Sequence, residues 1–349
     1  MSATPTSTRE SGTRGEPIMS SEATSQDLYL DPLLQRDPLL TRWSRATWRF
    51  IRLQPGGTIG IIIIVIVGLG AAFAPQLNTI GDGQRSIRNV WQQEAREAVE
   101  RGETPEREVS GVNFVLQGPG PDWWLGTNRT GQDLWSRVIY GARPALLIGI
   151  GAVGVAIVVA VSLSLAMGFL KGPVDALLLR LIEVIIAVPG IVWLILFTTA
   201  LEGSIPGILF AIALTFSPLT TLVLRGNVIQ ESASTYAESA RVVGASSLRI
   251  MFRHILPNLL PLAIVNASII VPAAIIAEAG LSFLGLGLDP QIPSWGADIG
   301  PNARAYFQTA WWLPVFPGIA LSLTVLAFNF LGDSLRDVLD PRLRGSGLI

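Results

Sequence analysis

The chain has 349 residues, half of them hydrophobic and 15% charged, and its 25 basic and 26 acidic side chains leave a net charge of −1. An ordinary soluble domain carries roughly 25% charged residues, so this composition points away from a cytosolic enzyme. With no cysteine, a single histidine (His254) and a single lysine (Lys171), the chain lacks the side chains for a disulfide framework, a thiolate metal site, a two-histidine HExxH zinc site or a P-loop. Any nucleotide energy it uses must be bound by another chain.

The charges are crowded together and leave six charge-free runs of at least 18 residues, at 53–81, 144–170, 184–201, 203–224, 254–277 and 305–332. Each is long enough to cross a bilayer core as a helix. In chain order, residues 1 to about 35 are rich in Ser, Thr, Glu and Gly and are expected to form a disordered tail. The tail region, 1–56, is read as cytoplasmic because Arg42, Arg45, Arg49 and Arg52 directly precede the first span. Membrane helices are predicted at 57–77, 144–170, 177–201, 205–224, 259–281 and 313–332, which makes the chain an all-α polytopic membrane protein. Parity then puts both termini and the 2–3 and 4–5 connections inside. The positive charges agree: Arg225, Arg241, Arg249 and Arg253 lie in the 4–5 connection and Arg336, Arg342 and Arg344 in the tail 333–349, whereas the outward 3–4 connection carries only Glu202.

The long outward loop, 78–143, contains a polar insert at 81–110 whose middle, 87–99, spaces its apolar residues for an amphipathic helix. That helix is either a solvated decoration or a docking surface for an extracytoplasmic partner. Within the spans, ionisable residues are few. Arg180 and Glu183 are three apart and are expected to pair on one helix face. Glu278, near the outer end of the fifth span, is expected to snorkel or pair there, or to line a pathway. Asn266 and Asn329 are candidates for bonds between helices. So sparse a set argues against an ion-coupled carrier, which needs acids or broken helices near the midplane. Prolines at 189, 206, 218, 257, 261, 272, 314 and 317 would let the bundle bend.

The connection between the fourth and fifth spans, 226–258, is too long for a turn. Residues 235–243 have helical composition with Ala237, Ser239 and Ala240 as small residues, Gly244 to stop the helix, and a second helical stretch from Ser246 leading into Pro257. Small side chains let a partner's surface approach the backbone, and Glu238 and Arg241 offer charged contacts at the rim. This segment resembles the EAA loop of ATP-binding-cassette importer permeases, whose Glu-Ala-Ala, three residues, Gly, nine residues, Ile-x-Leu-Pro pattern falls on Glu238, Ser239, Ala240, Gly244, His254, Leu256 and Pro257. Ser239 stands for an alanine and His254 for the isoleucine, as in an Arg-His-Ile-Leu-Pro-Asn variant of the peptide and nickel subfamily. Three further blocks, 125–143, 277–296 and 328–344, resemble the C-type subunits of dipeptide and oligopeptide permeases. In the first of them Asn128 replaces the usual acid and Gln132 the usual arginine, so that any role of those two charges is lost or moved.

The resemblance implies a six-helix permease of the type I importer fold, with a core over 144–332 and a coupling loop of Tyr236, Ala237, Glu238, Ser239, Ala240, Arg241, Gly244, Ala245, His254, Leu256 and Pro257. It implies a paralogous permease subunit, two ATPases that carry ATP and Mg, an extracytoplasmic substrate-binding protein, no cofactor on this chain and no nucleic acid. Asp333 and Arg336, with Asp337, Asp340 and Arg342, follow the sixth span as either ATPase contacts or an intrachain ion network. Glu278 and these tail charges are the candidates for pathway or interface roles. His254 is read either as an interface contact or as a helix-start residue bonded to a neighbouring carbonyl. Ser239, Ser246 and Ser247 have no base and orienting acid beside them, so no nucleophile is expected. Peptides are the expected substrates, in the cell membrane of a bacterium, with nickel chelates or other small solutes as the alternative within the class. An ion-coupled carrier or channel acting alone is the alternative of another class.

Overall fold

The computed structural model describes residues 51–77, 83–101, 113–289 and 291–339. The expected disordered tail, Arg42, Arg45, Arg49, part of the 81–110 insert, and Asp340, Arg342 and Arg344 lie outside the described residues. The helices are α1 (Pro55–Ala72), α2 (Ala74–Leu77), α3 (Ile87–Glu100), α4 (Leu134–Leu165), α5 (Gly172–Ala187), α6 (Gly190–Ala200), α7 (Ile205–Ser232), α8 (Thr235–Val242), α9 (Ser247–Ile250), α10 (Leu256–Phe283), α11 (Trp295–Ile299), α12 (Pro301–Ala305) and α13 (Trp312–Leu339). One π-helical turn, Ala166–Leu170, extends α4, and another, Met251–Ile255, joins α9 to α10. Among the described residues there is no strand, only an isolated bridge between Thr127 and Asp133.

Five stretches are long and apolar enough to cross a membrane: Pro55–Ala72, Leu134–Leu170, Ile205–Ser232, Ser247–Phe283 and Trp312–Leu339. The pair α5 and α6 makes a sixth if it counts as one span, but it is bent by 86°. Three boundaries differ from those read off the hydropathy. The helix expected at 144 begins ten residues earlier, within the range 78–143 read as loop, because Asp133 caps it: the carboxylate accepts from the Ser136 amide at 2.9 Å and its hydroxyl at 2.6 Å. The third span is not one helix over 177–201. Pro189 disfavours helical backbone at the preceding residue, so Val188 is extended at φ −92°, ψ 129° and ends α5. The continuous helix that carries the fifth span starts at Ser247, twelve residues before the apolar segment expected at 259, with Pro257 in the first turn of α10.

The core lies between α4, α7, α10 and α13, where Ile148, Ala152, Ile208, Ile212, Val271, Ile275 and Phe328 are buried together. Helices in lipid gain little from the hydrophobic effect and pack instead by close backbone approach at small residues. Gly149 shows this: a Cβ there would lie 2.5 Å from Ile275 Cγ1. Gly60 of α1 sits in the same way on Ala327 of α13, where a Cβ would meet the carbonyl oxygen at 2.5 Å. Gly149→Leu is therefore expected to push α4 off α10 at an overpacking cost of about 1–3 kcal/mol. A lowered unfolding temperature of the detergent-solubilised protein would report it; an unchanged one would refute the contact.

Gly168, in the turn after α4, abuts Val228 near the end of α7. The bundle thus has one end formed by α8 and α9, and an opposite end formed by α11, α12 and residues 113–133. Near that opposite end Ser86 caps the amphipathic α3, which buries Ile87 and packs Trp91 edge-on to Phe114 with ring centroids 5.1 Å apart.

Candidate functional site

The residues 233–258 are not a loop but two short helices set on the end of the bundle. The reversal between them is built at Gly244, whose φ of +84° lies in the left-handed region that favours glycine. Its amide donates to the Arg241 carbonyl at 2.9 Å and the Ala245 amide to the Ala240 carbonyl at 3.0 Å, the paired bonds of a Schellman C-cap. Ser246 then starts α9 from an extended conformation.

α8 is seated on the bundle by few contacts. Ala237 is fully buried in a cluster with Leu224 and Val228 of α7, Met251 and Ile255 of the π turn, and Leu259 of α10. The Tyr236 hydroxyl donates to Glu231 at the end of α7 and accepts from Asn258 Nδ2 at 3.0 Å, so one phenol ties three helices. Burial, with the Glu231 carboxylate beside it, pushes the Tyr236 hydroxyl pKa up and keeps it protonated as a donor. Arg241 lies over the Phe169 ring, 5.6 Å from its centroid, and so connects α8 to the turn between α4 and α5. The Ser239 hydroxyl donates back to the Thr235 carbonyl at 2.8 Å, leaving its small bulk outside. Leu256 packs against the same cluster as Ala237, as do Ala240 and Ala245.

The outer face of α8 and α9 is open. Glu238, Ser239 and Gly244 are exposed, and the tip presents Val242 and Val243, 82% and 88% exposed, with Leu248 and Phe252 beside them in sequence and also exposed. Val242 and Val243 are the most exposed large apolar side chains among the described residues, which makes this tip the candidate interaction surface. Sequence reasoning singled out the small and charged residues and passed over these four; their signal was two valines directly before a helix-stopping glycine. It also missed Glu231, Asn258 and Phe169, and the bidentate pair in which Arg225 of α7 donates to Asp175 of α5 at 2.6 and 2.5 Å. Asp175 and Arg225 are 50 residues apart and Tyr236 and Asn258 22, so no local spacing announces those two contacts.

Other expected residues fall elsewhere. His254 is in the π turn, half-buried, and its Nδ1 is buried without a hydrogen-bond partner, so that nitrogen makes no bond to a neighbouring carbonyl. Pro257 is exposed in the first turn of α10. Asp333 and Arg336 are exposed near the end of α13; among the described residues neither enters an ion pair, and Asp337 accepts from Gln54 at 3.3 Å. Glu278 does not snorkel. It is 2% exposed in α10 and accepts from the hydroxyls of Ser282 at 2.8 Å and Ser294 at 3.1 Å, which fastens the segment before α11 to α10. Asn266 bonds the Leu262 carbonyl of its own helix at 2.9 Å rather than a neighbouring helix.

The opposite end is held by a buried polar network. Arg137 Nε donates to Asp298 Oδ1 at 2.7 Å and Nη1 to the Gly83 carbonyl at 3.0 Å. Burial pushes the Asp298 carboxyl above the usual carboxylate range and Arg137 opposes it. Asn128 and Gln132, where the permease block carries an acid and an arginine, bond each other at 2.6 Å, so a neutral pair spans that position.

Comparison with known proteins agrees with this architecture. The profile of the family described as "Binding-protein-dependent transport system inner membrane component" matches residues 158–345, from the C-terminal part of α4 through α13. The chain is 39% identical over 313 residues to the glutathione transport system permease protein GsiD of Pectobacterium atrosepticum, covering 90% of this chain and 95% of that one. It is 40% identical over 228 residues to GsiD of Escherichia coli O6:K15:H31, covering 65% and 75%. It is 37% identical over 231 residues to the di/tripeptide transport system permease protein DppC of Pseudomonas aeruginosa, covering 66% and 76%. With five apolar spans and a bent sixth around a common core, and relatives matched along most of their length, the chain belongs to the family of inner-membrane components of binding-protein-dependent transport systems.

Proposed function

We propose that this chain is one of two permease subunits of an ATP-driven importer and carries peptides delivered by an extracytoplasmic binding protein. The observation that carries the reading is the exposed apolar tip of α8 and α9, Val242, Val243, Leu248 and Phe252, set on a helix anchored to the bundle by Ala237 and Tyr236. A partner ATPase receives this tip in a surface groove, with Glu238 at the rim. Closure of two ATPases around ATP and Mg then moves α8, and through Tyr236 and Arg241 it moves α7, α10 and the α4–α5 turn. The bundle switches between inward-open and outward-open states, biased at one end by nucleotide and at the other by the loaded binding protein.

In this reading the chain performs no chemistry, binds no cofactor or nucleic acid, and keeps both termini and α8 on the cytoplasmic side of a bacterial inner membrane, where the arginines of 225–253 belong. Peptides are favoured because relatives named for glutathione and for di- and tripeptides match over most of the chain; nickel chelates or other small solutes remain the competing cargo.

Two experiments test it. In membrane vesicles holding the two permeases, the two ATPases and the binding protein, uptake of labelled tripeptide should require ATP. Uptake that follows an ion gradient in the absence of the ATPases would overturn the proposal. Glu238→Lys should lower the yield of ATPase co-purified with the permease by about tenfold, the loss expected for about 1.4 kcal/mol at a rim charge. An unchanged yield would remove Glu238 from the interface.

A further inference from the structure

We infer that the face of α5 carrying Arg180 and Glu183 lines a water-filled passage between this subunit and its permease partner and meets the charged ends of the solute in transit. The inference rests on the two-permease reading above, and its evidence is the placement of one ion pair. α5 touches the rest of the chain along a single stripe. Ile182 is its one buried residue, and Asp175, which pairs with Arg225 of α7, lies on the same side. At 100° per residue, Arg180 stands about 160° around the helix from Ile182, and Glu183 about 100° from it on the far side, so both point away from the bundle. Arg180 Nη1 donates to Glu183 Oε2 at 2.8 Å, yet the two side chains remain 82% and 47% exposed.

That exposure has to be reconciled with a membrane. Measured from Asp175, whose partner Arg225 directly follows the fourth span as read from the hydropathy, Arg180 lies about 8 Å and Glu183 about 12 Å further along the α5 axis, within the segment 177–201 read as the third span. Charged groups within a span are costly against lipid, and one hydrogen bond between them leaves most of their donors and acceptors unmet. Glu278 and Arg225 are covered by this chain, the first by two hydroxyls and the second by Asp175. Arg180 and Glu183 are not. The small residues Ala176 and Ala187 share their face, so the pair stands out from a shallow surface. Water on this face satisfies the pair, and a passing solute with both an ammonium and a carboxylate, as the two ends of a short peptide provide, exchanges with that water at equal charge. α5 also begins at the turn that Arg241 of α8 touches through Phe169, so the face is mechanically joined to the coupling helix.

The chain has no cysteine, so an introduced thiol is a unique reporter on it. In the complete transporter in proteoliposomes, Arg180→Cys, Glu183→Cys and Ala187→Cys should react with a charged, membrane-impermeant methanethiosulfonate reagent. Their rates should differ by at least about tenfold between the nucleotide-free and the ATP-trapped assembly. Ile182→Cys, at the same depth on the packed side, should stay unlabelled in both. Ala187→Cys keeps both charges and replaces one small side chain with another, so it reports even where the charge variants do not assemble. No reaction at any of the three positions would mean a face dry against the partner or lipid, and equal rates in both states a static surface at the membrane boundary; either overturns the inference, as does reaction at Ile182→Cys. Labelling is read independently of uptake. A transporter that imports tripeptide but does not label loses this inference alone, and one that labels with the expected nucleotide dependence but imports no peptide loses the proposed cargo and keeps the wet face.

Discussion

Gly244→Val should abolish most ATP-coupled uptake while leaving the protein inserted and folded. The position needs a φ of +84°, and a β-branched residue there costs about 1–3 kcal/mol of backbone strain. Space is not the obstacle, since a Cβ at Gly244 would meet nothing within 4 Å. Relief of the strain must come from changing the turn itself. That breaks the bonds from the Gly244 and Ala245 amides to Arg241 and Ala240 and re-aims α9 relative to α8. The membrane core lies elsewhere and is untouched. Gly244→Asn separates backbone from bulk, because asparagine tolerates the left-handed region. In vesicles with the full set of subunits, the valine variant should retain ATP hydrolysis and lose at least about tenfold in uptake per ATP, the equivalent of about 1.4 kcal/mol, whereas the asparagine variant should stay near the parent. Equal behaviour of the two variants would show that the turn's conformation does not carry coupling.

The second large effect belongs to the opposite end. Arg137→Leu leaves the Asp298 carboxylate buried without its partner, and breaking a buried pair in this way costs about 3–5 kcal/mol. It also strips the donor from the Gly83 carbonyl. The unfolding temperature in detergent should fall sharply, and Asp298→Asn in the same chain should recover much of the loss by removing the stranded charge. The pH dependence has a definite sign. Burial raises the Asp298 carboxyl above its ordinary value, so the stability linked to its protonated form is fully present below the unfolded-state value near 3.8 and is lost as pH rises through the higher folded value. Without Arg137 to oppose burial, that window widens upward. The variant should therefore be least impaired under acid conditions and progressively worse toward neutral pH. A pH-independent deficit would show that Arg137 acts through shape rather than charge.

These outcomes bear on what could be read before any fold was known. A long charge-free run must become helical to satisfy its backbone in lipid, so the all-α class and the existence of the apolar spans were legible, though not every boundary or the break at Pro189. The helical composition of 235–243, its glycine stop and the pairing of Arg180 with Glu183 are likewise local, set by propensity and by a spacing of three. The bend at Pro189 was marked by a proline that had been counted as one of many, and the early start of α4 by an Asp133 cap that hydropathy does not weigh.

Placement in three dimensions was decided by packing alone. Whether Glu278 snorkels or sits sealed under Ser282 and Ser294 depends on a segment sixteen residues further on folding back over α10. Which side of α8 is buried depends on Ala237 meeting Leu224, Ile255 and Leu259, and which charges remain bare depends on where α5 finds its single stripe of contact. Sequence determines what each segment must become because backbone hydrogen bonding and transfer from water act locally. It leaves open which faces meet, because that choice is made by shape complementarity between segments distant in the chain.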